Sequence, residues 1–243
     1  MDNDRPFYIK ASLAAYLVWI GVFEAVGFYA VRLPALDVTL ALDRSIPLVP
    51  EFIWPYLLCY VFPFLPLAVV KDWHRFNRAF LAILIANAAA FLAYVLLPIA
   101  FPRPELGAGF SDRVLALQFA YDFKPGANKL PSLHVAYAWT VALLCLKQGL
   151  GRTREALVFL TAALISVSTL FVKQHILLDV VAGTVLAYAA WFAAGSLYPR
   201  FAAPGMEARG VFRKIVREAV PSLLLFTALI ILLADLHYGR LIP

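Results

Sequence analysis

The chain has 243 residues, 63% of them hydrophobic and only 15% charged. A soluble domain is closer to half apolar and a quarter charged, so the composition excludes one and implies a polytopic membrane protein. The formal net charge of +6 fits loop lysines and arginines kept at one membrane face beside anionic headgroups. No basic soluble surface interleaved with aromatic residues exists, so nucleic acid is not an expected partner.

The N-terminal MDNDRPFYIK is mixed in charge. The apolar run behind it is longer than a signal core and has no convincing cleavage site, so it is read as a first span at about 12–31. Segment 34–56, with PALDVTLALDRSIPLVPEFIWP, is broken by prolines and expected along the membrane interface. It either covers a site and admits a lipid sideways or merely connects two spans. Further spans are expected at about 53–70, 79–100, 133–149, 156–172, 176–198 and 219–237. Most approach the ~20 apolar residues that cross a bilayer. The fourth, from Ser132 to Lys147, barely crosses at ~1.5 Å per residue. Its first turn is therefore expected slightly below the surface, where a lipid phosphate reaches it while the tails stay in the bilayer.

Apolar runs of this length satisfy their backbone as helices rather than as a barrel. The expected fold is all-α, a membrane helical bundle. It forms one domain over 1–243, with a six-span core at about 53–198 and a seventh span at about 219–237. Cys59 and Cys145 fall inside spans and are read as buried apolar residues, not as a disulfide framework.

Orientation follows from basic residues. The N-terminal segment and the loops KDWHRFNR, KQGLGRTRE and YPRFAAPGMEARGVFRKIVRE hold 13 of the 21 lysines and arginines. The N-terminus and these loops are therefore expected in the cytoplasm, and the opposite ends outside.

Polar groups near membrane helices are costly and ask for a reason. At the outer ends of spans three to six they gather in three places: FPRPEL with Arg103, NKLPSLH with Lys129, Ser132 and His134, and STLFVKQHILLDVVAG with Ser168, Lys173, His175 and Asp179. His175 and Asp179 are four apart on one helix face. The carboxylate can hold one imidazole nitrogen and leave the other as nucleophile or base, or the two can be a structural polar pair. Pro131 and Ser132 mark a helix start, whose free amides make an anion site, with His134 in the first turn as acid or as a snorkelling side chain. Arg103, stiffened by flanking prolines, can grip a phosphate bidentately or anchor at the interface. Lys124, Lys129 and Lys173 add charge on the same side. An anion pocket, a carboxylate-backed histidine and a second histidine are what phosphoryl transfer needs without a metal.

These residues resemble the motifs of the type-2 phosphatidic acid phosphatase superfamily: K-x6-R-P, P-S-G-H and S-R-x5-H-x3-D. Arg103-Pro104 matches the end of the first, and Pro131-Ser132-Leu133-His134 the second with leucine for glycine. Ser168, His175 and Asp179 match the third at its spacing. The resemblance covers about 80–190. It implies that His175 forms a phosphohistidine, that Asp179 orients it, and that His134 protonates the leaving oxygen. It further implies that Arg103, Ser132 and the Leu133 amide bind phosphate, with Ser168 at a further phosphate-binding position. No metal or cofactor is implied, and the expected partners are a lipid phosphate or phospholipid and the bilayer.

Two motif cations are missing, since Leu96 and Thr169 stand where the lysine and the second arginine would be. Lys129 and Lys173 are the candidates to replace their charge. The pattern STLFVKQH…DVVAG, with LDRSIPLVPEFIWPYLLCY before the second span, is similar to the inositol-phosphorylceramide-synthase-like branch. That branch passes a phosphate-containing headgroup to an alcohol rather than to water, and a phosphodiester asks for fewer cations. The expected function is cleavage of a lipid phosphomonoester or pyrophosphate at the outer face, with headgroup transfer to a lipid or polyol alcohol as the alternative. A transporter would place its ionisable groups near the midplane instead, and a metallohydrolase would use the two histidines and Asp179 as ligands.

Overall fold

The computed structural model describes residues 4–122 and 127–238. Among them the regular structure is helical: α1 (Arg5–Ala30), α2 (Ala41–Ser45), α3 (Ile53–Val61), α4 (Leu65–Val69), α5 (Trp73–Leu96), α6 (Phe110–Tyr121), α7 (Leu133–Cys145), α8 (Arg152–Phe171), α9 (Leu177–Leu197) and α10 (Ala208–Tyr238). Six segments are long and apolar enough to cross a membrane, and α7 is a shorter apolar helix. The chain is thus a multi-pass membrane protein built as a helical bundle.

The second span, Pro50–Val69, is assembled from α3 and α4 with 3-10 turns at Pro50–Phe52 and Phe62–Phe64. Pro63 and Pro66 each lack an amide hydrogen and clash with the carbonyl four residues earlier, which breaks a regular helix there. In α10 the single Pro221 is accommodated within the helix.

Helix α5 packs against α1, α7, α9 and α10, and α7 against α8 and α9. Of the 13 residues of α7, 10 are buried. A helix enclosed by its neighbours does not have to match the bilayer thickness, which is why a helix this short sits at the centre. It ends at Cys145, four residues before the expected limit, and Lys147 follows with a positive φ of 59°. Lipid-facing residues such as Leu17, Leu160, Val185 and Leu225 are exposed on α1, α8, α9 and α10. These helices are apolar on both the inner and the outer face, as a bundle in lipid requires. Cys59 and Cys145 are buried and free, as expected.

One end of the bundle gathers the basic loops. Arg5 donates to the carbonyls of Leu67 and Val70, Lys71 and Asp72 amides share the Gln148 Oε1, and Arg75 holds the carbonyls of Leu143 and Leu144. At the other end Leu36, Ile99 and Asn128 pair as short backbone bridges. Segment 34–56 lies over this second end. Val49 donates to the Phe171 carbonyl at 3.0 Å, and the Asp43 carboxylate receives the Leu177 amide at 2.7 Å.

The stretch 101–131, between the third and fourth expected spans, contains the 12-residue α6. Leu115, Gln118 and Phe119 are its buried face, spaced i, i+3 and i+4. That period was present in the sequence but lay inside a run bounded by prolines and glycines.

Candidate active site

The second end of the bundle brings two histidines together. His175 lies just before α9, and Asp179 lies in its first turn. Asp179 Oδ2 accepts from His175 Nδ1 at 3.0 Å and from the Ile176 amide at 3.2 Å, so one carboxylate both caps the helix and holds the imidazole. His175 is 4% exposed and Asp179 fully buried.

Ser132 is the N-cap of α7, its hydroxyl accepting from the Val135 amide at 3.4 Å. Its own amide donates to the Asp179 carbonyl at 3.1 Å, which ties the start of α7 to α9. Gly183 permits this approach, because a Cβ there would lie 2.5 Å from the Ser132 carbonyl oxygen. His134 therefore comes within hydrogen-bonding distance of His175, with Nδ1 3.2 Å from Nε2.

The network sets the tautomers. Asp179 can only accept, so His175 Nδ1 carries the proton and Nε2 is bare. His134 Nδ1 must then donate to that lone pair. His134 Nε2 meets the Tyr56 hydroxyl at 3.3 Å, and that hydroxyl donates to a neutral imidazole and accepts from a protonated one. Tyr56 is a buried residue of α3 that the sequence reading passed over as apolar span. With His134 as the acid that the resemblance implies, Tyr56→Phe is expected to lower kcat about 10–100-fold with alkyl leaving groups, because that acid loses its buried partner. The loss should be smaller with an aryl leaving group that needs little protonation, and the ratio of the two rates is the measurement.

The remaining predicted residues separate into those at the histidines and those beside them. Lys129 is 7% exposed, and its Nζ donates to Gln174 Oε1 at 3.1 Å and stands 3.7 Å from Asp122 Oδ2. Burial pulls its pKa down, and Asp122 opposes that pull. Arg103 pairs with Asp122 Oδ2 at 2.9 Å and donates to the Phe119 carbonyl. Its pKa is likewise lowered by burial against the pull of Asp122. Lys173, at a positive φ of 54°, spends its ammonium on the carbonyls of Asp43 and Ile46. Burial lowers its pKa, opposed by Asp43. Ser168 is fully buried and donates to the Ile165 carbonyl at 2.7 Å, within its own helix. Leu133 opens α7 and lines the recess at the histidines. Lys124 lies outside the described residues.

Two spaces meet at His175. A small recess of about 30 Å³ is lined by Asp122, Asn128, Lys129, Leu133, His134, Gln174 and His175, among others. A wider cleft of about 460 Å³ is lined by Arg103 and Lys173, together with Asp37, Thr39, Asp43 and Arg44 of segment 34–56. Gln174 is 1% exposed, and its Nε2 has no hydrogen-bond partner among the described residues. Since Oε1 faces the Lys129 ammonium, Nε2 is the amide's unused donor. Asp122, Gln174, Asn128 and Tyr56 were missed by the sequence reading. Asp122 adjoins the recognised residues only in space and lies in no motif, and Gln174 fills an unspecified position of the third motif, directly before His175. Among the described residues no group of three or more His, Cys, Asp or Glu is arranged to hold a metal ion.

The family model described as PAP2 superfamily matches residues 46–193. That range contains both histidines, Asp179, Arg103 and Tyr56. No curated protein and no solved structure matches the chain.

Proposed function

The chain belongs to the PAP2 superfamily, whose model covers more than half of it, and from that premise we propose that it cleaves a lipid phosphate through a phosphohistidine on His175. The family supports a lipid phosphatase or phosphotransferase type of function, and the membrane-spanning helices fit a lipid substrate. The observation that carries the finer reading is the hydrogen-bonded line Asp179–His175–His134, with steps of 3.0 and 3.2 Å.

In this mechanism the bare Nε2 of His175 attacks phosphorus. The N–P bond forms as the bond to the lipid oxygen breaks in line, and that oxygen takes the Nδ1 proton of a His134 that enters the step as imidazolium and leaves it neutral, its remaining proton on Nε2 facing the Tyr56 hydroxyl. Asp179 stabilises the charge that develops on the His175 ring. His134, now a base, deprotonates water. The resulting oxygen attacks phosphorus, the N–P bond breaks, and His175 is restored. Lys129, Arg103, Ser132, Ser168 and the Leu133 amide are the proposed phosphate ligands, and Lys173 contributes by holding segment 34–56. The site faces the extracytoplasmic side and the N-terminus the cytoplasm, a reading supported by the basic loops at the opposite end.

A second reading is favoured by the wider cleft. A space of about 460 Å³ that reaches the same histidine, with apolar walls and polar side chains among them, suits an alcohol acceptor in place of water, which makes the protein a phosphotransferase. Purified protein in detergent with EDTA, offered lipid phosphomonoesters, pyrophosphates and phosphodiesters with and without alcohols, tests both. Release of phosphate that survives EDTA is the expected result. Product formed only when an alcohol is supplied favours transfer, and activity abolished by EDTA overturns the metal-free mechanism.

A further inference from the structure

Two cations share one carboxylate at the recess by the histidines: Lys129 and Asp122 line the recess itself, and Arg103 lines the adjoining cleft. Lys129 and Arg103 both face Asp122 Oδ2, at 3.7 and 2.9 Å. Gln118 Nε2 holds the other oxygen, Oδ1, at 3.4 Å, and Arg103 is tethered to the Phe119 carbonyl. One carboxylate is thus fixed between two cations, and the three together carry a single positive charge. Gln174 also lines the recess and adds a neutral donor: its Nε2 is buried with no partner among the described residues, while Lys129 holds its Oε1. A phosphomonoester at neutral pH carries about −1.5 to −2 charges, whereas a phosphodiester carries one.

We propose that Asp122 and Gln174 make this recess selective for a singly charged phosphoryl group, so that phosphodiesters bind in preference to phosphomonoesters. The inference rests on the reading that the recess receives the substrate phosphate. Asp122 lowers the positive charge that a dianion needs, and Gln174 supplies a hydrogen bond without adding charge. Burying an unmatched second negative charge is penalised far more than burying a matched one.

The test is binding rather than turnover. Short-chain lipid phosphomonoester and phosphodiester are titrated into wild-type, Asp122→Asn and Gln174→Met proteins in detergent, with thermal melting as the readout of affinity and of folding. In the wild type the diester binds more tightly. Asp122→Asn is expected to raise monoester affinity relative to diester about tenfold or more, from the Coulomb energy of one charge near a partly screened site. Gln174→Met is expected to weaken both. An unchanged ratio in Asp122→Asn, equal loss of both ligands there, or binding of neither class by the wild type overturns the proposal. Turnover tests the reaction separately: a wild type that binds diester with the predicted ratio yet transfers no phosphoryl group leaves the charge selection standing and removes the mechanism.

Discussion

Alanine at His175 is expected to abolish turnover, with kcat falling about 10⁴-fold or more, on the scale seen when one member of a cooperating catalytic set is lost. The reasoning is local. Nε2 of His175 is the lone pair that the tautomer network leaves bare, and it points at the acid His134. The fold should survive, because Asp179 keeps its bond to the Ile176 amide and Ser132 keeps its bond to the Asp179 carbonyl. Single-turnover reaction with a lipid labelled at phosphorus should leave an acid-labile label on the wild-type protein and none on His175→Ala. The alanine variant should melt within a few degrees of the wild type. Activity surviving in a folded His175→Ala protein would move the nucleophile to another residue.

Gly183→Ala is expected to be the most damaging change at a residue with no chemistry of its own. A Cβ at Gly183 would sit 2.5 Å from the Ser132 carbonyl oxygen and 3.1 Å from Val135 Cβ. The obstacle is backbone, pinned to α9 by the Ser132 amide, so α7 and α9 must part. Overpacking of this kind costs about 1–3 kcal/mol. Displacing His134 from His175 by about 1 Å costs on the order of 100-fold in rate. Gly195→Ala is the control, since its Cβ would meet the guanidinium of Arg78, at 2.6 Å, which a flexible side chain can move away. Melting temperature and kcat of both variants decide the matter. A Gly183→Ala protein with wild-type values on both would show that the contact is not a rigid spacer.

The legible part of this molecule was its local part. Seven apolar runs announced the six candidate spans and the shorter α7, since spanning length is a property of consecutive residues. His175 and Asp179 were readable as a pair because helical spacing alone joins them. The Ser132 cap was readable because a helix start is marked by its own neighbours. Asp122 was not readable. It meets Arg103 and Lys129 only in space, and a lone aspartate at the end of an unrecognised helix carries no signal of either. Tyr56 looked like one more aromatic residue in a proline-broken span, and only the packing of α3 against α7 gives it a histidine. Lys173 shows the converse. Its position near the motif suggested a phosphate ligand, but its backbone turns with positive φ and delivers the ammonium to Asp43 and Ile46.

The contact between His134 and His175 has a bearing on the empty protein. At 3.2 Å the two rings touch, and no third atom fits between the nitrogens. In the proposed mechanism the resting nucleophile is therefore capped by its own acid. A reagent that simply seeks an imidazole lone pair finds it engaged. A phosphate ester fares differently, because one of its oxygens can receive the His134 proton while its phosphorus faces His175. It replaces the bond it breaks, worth about 0.5–1.5 kcal/mol net, with one of the same kind. The idle site is self-sealed, and the shape of the substrate is what unseals it.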